Sequence, residues 1–148
     1  SGDTLQRVEV VKELAGVIAS SRGASGRLML EVTESALIED VEAATRGLAV
    51  LREAGVGVCL DDFGSGAASF GYLHALSFDG VKFDGAFLNR SADRRRSLAL
   101  VRAIARMCAE LGIFAVGERV ECEEDRAFLE EAGVRFAQGF LFGRPVLD

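Results

Sequence analysis

The feature that most constrains this chain is its alternation of two periods. Apolar residues recur at helical spacing in some segments and as short continuous runs in the segments between them. Leu5, Val8, Val11, Leu14 and Ile18 mark a first helix, with Asp3 or Thr4 placed to cap it. A turn over 20–26 leads to a strand at 28–32. A helix over 39–54 follows, with Leu48 and Leu51 inward and Gly55 closing it. The run at 56–60 reads as a second strand, and 62–71 as a loop with a short helix at 69–76. A third strand is expected at 80–83, and a helix at 94–111 closed by Gly112. Leu98, Val101, Ile104, Ala105, Cys108 and Leu111 line one side of that helix. A strand at 113–116, a helix at 123–132 closed by Gly133, and a strand at 134–137 complete the series. Strands this apolar leave no wet face, and the repeated βα order predicts an α/β fold with a parallel sheet under helices.

Function in parallel α/β folds gathers at the carboxyl ends of strands. Each predicted strand here runs into polar residues. They are Glu31 with Thr33 and Glu34, Asp61-Asp62, Lys82 with Asp84, Glu118 with Glu121, and Gln138. Singly, each has a plain explanation. A Glu after a strand is often solvated, and adjacent aspartates can open a turn. Lys82 lies between Val81 and Phe83, so it must snorkel or meet a carboxylate. Taken together, clustered carboxylates repel, by roughly 4 kcal/mol per pair at 4 Å and an effective dielectric of 20. Hard divalent cations such as Mg²⁺, Mn²⁺ or Ca²⁺ would offset that repulsion. Two such ions would let an acidic protein bind an anionic ester and hydrolyse it.

Composition excludes several alternatives. The formal net charge is −6, from 17 basic and 23 acidic residues, which argues against nonspecific DNA or RNA binding. No apolar run is long enough for a membrane span, and Ser1-Gly2-Asp3-Thr4 does not begin a signal peptide. The scattered cysteines, Cys59, Cys108 and Cys122, point to a reducing, cytoplasmic setting and away from structural zinc. Cys59 reads as core. Asp62-Phe63-Gly64 lacks the other kinase motifs, and Gly64-Ser65-Gly66 lacks a following GK[ST]. His74, the single histidine, reads as a helix-surface residue.

Five ordered strings carry a closer likeness. They are Glu31-Val32-Thr33-Glu34-Ser35, Asp61-Asp62-Phe63-Gly64-Ser65-Gly66, Val81-Lys82-Phe83-Asp84, Glu118-Arg119-Val120-Glu121 and Gln138-Gly139-Phe140-Leu141-Phe142-Gly143-Arg144-Pro145. Through them the chain resembles the EAL domain family, bacterial phosphodiesterases that open cyclic di-GMP to linear pGpG. The resemblance implies a TIM-like (β/α) barrel and two Mg²⁺ or Mn²⁺ ions. It implies that Glu31 binds one metal, Asp61 bridges both and Asp62 holds the second. Lys82 would contact the attacking water or the phosphate. Glu118 would serve as metal ligand or general base, while Glu121 and Gln138 would orient waters at the site wall. Glu34 would anchor the 62–71 loop, which couples dimerisation to activity in the family. Asp84 and Arg144 would touch substrate.

The likeness has departures. The name-giving Glu-Ala-Leu and a later Asn, both metal ligands in the family, have no counterpart in the chain. Arg119 stands where the family usually has Gly, Ala67-Ala68 replace Tyr-Ser, and Ser77 replaces a common Pro. A barrel of this class takes about 250 residues. The resemblance therefore makes residues 1–148 the C-terminal portion of a single EAL-type domain, a partial barrel without its first two strands. The expectations are little hydrolysis by the chain alone, and a homodimer or another chain closing the open side. The parent would be cytoplasmic, alone or within a membrane-tethered protein. Cyclic di-GMP is the expected ligand. The alternative is a receptor or interaction domain with no turnover, which Arg119 motivates.

Overall fold

A computed structural model describes residues 7–21, 26–33, 40–64, 69–85 and 93–144. The chain divides into two compact units, residues 1–79 and 80–148. Both alternate helix and strand, and among the described residues every strand pairing within each unit is parallel. The expected α/β parallel architecture is therefore present. Glu34, Ser65, Gly66, Ala67, Ala68 and Pro145 lie outside the described residues, as does the proposed cap at Asp3 or Thr4.

The first unit contains α1 (Val8–Ser20), β1 (Met29–Thr33), α2 (Val41–Glu53), β2 (Gly57–Phe63) and α3 (Ser69–Ala75). Asp40 starts α2 by accepting a hydrogen bond from the Ala43 amide at 2.8 Å, which satisfies one orphan donor of the first turn. Leu48 and Leu51 point inward, as their spacing predicts. β1 and β2 pair with Glu31 opposite Cys59 and Thr33 opposite Asp61. Side chains alternate along a strand, so Glu31, Thr33, Cys59 and Asp61 share one face. Val32, Val58 and Leu60 take the other face and are buried. Asp79 holds the end of this unit. Its carboxylate accepts from the Val58 amide at 2.7 Å and from both terminal nitrogens of Arg52 at 3.2 Å.

The second unit contains β3 (Gly80–Phe83), α4 (Arg94–Leu111), β4 (Phe114–Gly117), α5 (Glu123–Ala132) and β5 (Phe136–Ala137). Lys82 lies opposite Val116, and Val116 opposite Phe136. Asp93 caps α4 by accepting from the Arg95 amide at 3.0 Å, and Gly112 ends it at φ +71°. Val101, Ile104 and Cys108 form the buried stripe of α4. After β5, Gly139 passes so close to the Val120 backbone that a Cβ there would collide with main-chain atoms. That crossing is held by the Val120 amide donating to the Gln138 carbonyl at 3.1 Å.

Some expectations fail. Leu14 and Leu111 are exposed, and Ala15 completes the buried stripe of α1 in place of Leu14. Apolar spacing identifies a helix but not which of its flanking apolar residues finds a neighbour. β1 does have a wet face, with Met29 and Glu31 exposed, because it stands at the end of the strand order. β2 continues through Asp61, Asp62 and Phe63 rather than stopping at residue 60, and β5 has shrunk to two residues. No helix among the described residues is long and apolar enough to cross a membrane.

None of the three cysteines forms a disulfide, and Cys59 is core as expected. Burial pushes the Cys108 thiol up to about 11 from 9.0. The folded chain therefore keeps this thiol neutral while the unfolded chain ionises it. Ionisation between about pH 9 and about pH 11 favours the unfolded state, so this thiol's contribution to stability falls as pH rises through that interval. Cys108→Ser is expected to flatten the decline in urea midpoint across the same range. An unchanged pH dependence in the variant would contradict this.

Candidate functional site

In the first unit, the carboxyl end of β2 presents Asp61 and Asp62, both half-buried. The Asp62 amide donates to Asp61 Oδ1 at 3.0 Å, which orients the neighbouring carboxylate. Asp62 has φ +56°, the left-handed region that aspartate tolerates better than most residues. The strand thus turns sharply while carrying two consecutive carboxylates. Glu31 shares the face of Asp61, across the β1–β2 pair and one step back along it, and it is exposed. Thr33, directly opposite Asp61, adds a hydroxyl to which the sequence assigns no role of its own. The signal for it was available, since Thr33 is two residues from Glu31 on the same strand.

These donors are all oxygens, mostly anionic, and open to solvent to different degrees. That set fits a hard divalent ion such as Mg²⁺ or Mn²⁺ and does not suit a thiolate- or imidazole-preferring metal. In this unit, Asp61 and Asp62 supply carboxylate oxygens of that type, and Glu31 adds one on the strand face it shares with Asp61.

In the second unit, Lys82 is 5% exposed within an apolar strand. Its ammonium lies 2.6 Å from Glu118 Oε1. The sequence left two fates open for this lysine, and the structure selects the carboxylate. Glu118 follows β4 directly, and its amide donates to the Phe83 carbonyl at 3.2 Å, extending the strand pairing by one residue. The same extension reaches β5, where the Gln138 amide donates to the Gly117 carbonyl at 2.9 Å. By alternation, Gln138 shares the face of Lys82 and Glu118, and it is exposed. A charged lysine on this face can bind an anionic oxygen while Glu118 fixes its position.

The other predicted residues are more dispersed. Glu121 is exposed, and its amide donates to Asp125 Oδ2 at 3.0 Å at the start of α5. Arg144 is exposed and stacks over the Phe140 ring at 4.8 Å. Asp84 lies 3.3 Å from Arg119 Nη1. No sequence signal pointed to that ion pair, because the partners come from the ends of two different strands.

Arg119 has φ +56°. A residue with a Cβ pays about 1–2 kcal/mol to occupy that region. An ion pair as exposed as this one, with the Arg119 side chain 68% accessible, contributes about 0–1 kcal/mol in general. The contact with Asp84 therefore does not offset the backbone strain. Gly85 leaves room for this side chain, since a Cβ there would come within 2.6 Å of Arg119 Cβ.

Comparison with known proteins places these features in a family. The model of the EAL domain family matches residues 1–145. The cyclic di-GMP phosphodiesterase PdeB of Shewanella oneidensis is 41% identical over 115 residues, covering 78% of this chain and 13% of PdeB. The structure of the MucR phosphodiesterase of Pseudomonas aeruginosa in complex with c-di-GMP is 34% identical, with a TM-score of 0.85 over 99% of this chain and 59% of that one. The manganese and cy-diGMP complex of Klebsiella pneumoniae BlrP1 is 32% identical, with a TM-score of 0.81 over 93% of this chain and 35% of that one. The fold is thus the TIM-barrel-like type expected, and the chain spans a minor share of PdeB and less than two thirds of either solved chain.

Proposed function

Because the chain belongs to the EAL domain family, we propose that the protein carrying it hydrolyses cyclic di-GMP to linear pGpG with the help of divalent metal ions. The observation that carries this reading is the 2.6 Å Lys82–Glu118 pair. A lysine buried in an apolar strand and aimed by a strand-end glutamate adds little to stability that well-packed apolar residues would not. It is what phosphodiester chemistry needs.

In this proposal Glu31, Asp61, Asp62 and Glu118 hold Mg²⁺ or Mn²⁺. When bound, the ions supply Lewis acidity at the phosphate and lower the pKa of a water. Lys82 binds the attacking water or a phosphate oxygen, with its ammonium held in place by Glu118. Glu118 takes the water's proton where it serves as general base instead of as metal ligand. Gln138 and Glu121 orient waters at the site wall, and Asp84 and Arg144 contact the substrate. The water oxygen bonds to one phosphorus, the P–O3′ bond of that phosphate breaks, and the ribose oxygen receives a proton. One water is consumed and one linear dinucleotide leaves. Glu34 keeps its proposed role as anchor of the following loop. The proposed compartment is the cytoplasm, in keeping with cysteines that form no disulfide.

The test is incubation of the protein carrying this chain with cyclic di-GMP and either Mg²⁺ or Mn²⁺, with chromatography of the products. Formation of pGpG that stops on adding EDTA is the expected result. Absence of pGpG with both metals rejects hydrolysis. A second reading, a receptor that binds cyclic di-GMP without turnover, is favoured by the strained Arg119 beside Glu118. Calorimetric binding in EDTA with no product would select it.

A further inference from the structure

We propose that Arg119 is a substrate-binding residue, whose guanidinium exchanges the Asp84 carboxylate for a phosphate oxygen of the cyclic dinucleotide. The inference rests on the phosphodiester reading above and adds a contact particular to this chain.

Four observations support it. First, Arg119 keeps the left-handed backbone that glycine adopts without strain, and its contact with Asp84 is too exposed to compensate. A residue that weakens its own turn is explained better by a ligand than by the frame. Second, its position suits a ligand. It directly follows Glu118, and it is clasped by Asp84, two residues along the chain from Lys82. An extended chain advances about 3.3 Å per residue, so the backbone at Asp84, just past the end of β3, is about 7 Å along from that at Lys82. That separation suits an anion with more than one charged group. Third, Gly85 makes the arrangement possible, since any side chain there would collide with Arg119. Fourth, the chemistry matches. Arginine presents paired N–H donors that fit carboxylate and phosphate alike, so one anion can replace another without rebuilding the site. With 68% of its side chain accessible, Arg119 is open to an incoming ligand.

The experiment compares wild type, R119G and R119K by calorimetry with cyclic di-GMP, once with Mg²⁺ and once in EDTA, alongside thermal melting. R119G is expected to bind about tenfold more weakly, because a charge-assisted contact is lost, and to melt no lower than wild type, because strain is relieved. R119K is expected to fall between them in affinity, since it keeps the charge but not the paired donors. Wild-type affinity in R119G overturns this inference and leaves the phosphodiester reading intact. A lower melting temperature together with weakened binding in R119G also overturns it, by assigning Arg119 to the frame. If wild type binds cyclic di-GMP in neither buffer, the phosphodiester reading fails and this inference fails with it.

Discussion

Lys82→Met is expected to lower the unfolding free energy by about 3 kcal/mol, the scale found when one partner of a buried ion pair is removed. The methionine packs well enough, because Val81 and Phe83 on either side are fully buried and the strand is apolar. The cost comes from Glu118. Its side chain is only 18% exposed, and without the ammonium at 2.6 Å it is a carboxylate with too little water around it. The double variant Lys82→Met, Glu118→Gln removes the orphaned charge and should recover a large part of the loss. Urea titrations of the wild type, the single variants Lys82→Met and Glu118→Gln, and the double variant measure all four corners of the cycle. If the single Lys82→Met change costs less than about 1 kcal/mol, the pair is not the buried contact described here.

Asp61→Asn should separate chemistry from stability in the opposite way. Asparagine keeps an oxygen that can accept from the Asp62 amide, so the end of β2 retains its local hydrogen bond. It also removes one negative charge from the strand face that Glu31 shares. Metal contributes several kcal/mol to such a reaction. A loss of about 4 kcal/mol corresponds to a rate about a thousandfold lower. In the protein carrying this chain, the expected outcome is a hydrolysis rate reduced by about that factor and weaker Mn²⁺ binding, with a melting temperature in EDTA no lower than that of wild type. Near-normal hydrolysis by Asp61→Asn would remove Asp61 from the proposed metal ligands.

Much of the fold was legible because strand and helix signals agreed. The helix Arg94–Leu111 has the bounds its sequence predicts, since Gly112 ends it without strain. The Asp93 cap at its start is a standard helix-start signal, with Asp just before the first apolar-periodic residues. β2 was misjudged at its end. Two adjacent aspartates suggest a turn, and nothing in their identity reveals that the strand carries on through them to Phe63, which is 1% exposed. β5 was overestimated because Val134 is apolar and buried, although it belongs to the approach to the strand. At the site, the need of Lys82 for a carboxylate was visible, but the identity of that carboxylate depended on strand register. The Arg119–Asp84 pair depended on a backbone angle as well. Residue type shows that Arg119 departs from the family pattern, and only the fold shows that it does so in a glycine's conformation.

That conformation has a genetic consequence. Glycine and arginine have codons that differ by a single base, so relief of the strain after β4 is one nucleotide change away. Stability alone favours that change, and binding of an anionic ligand opposes it. The codon at position 119 is therefore a place where two selective pressures act in opposite directions, and where drift toward glycine would mark a lineage that no longer needs the contact.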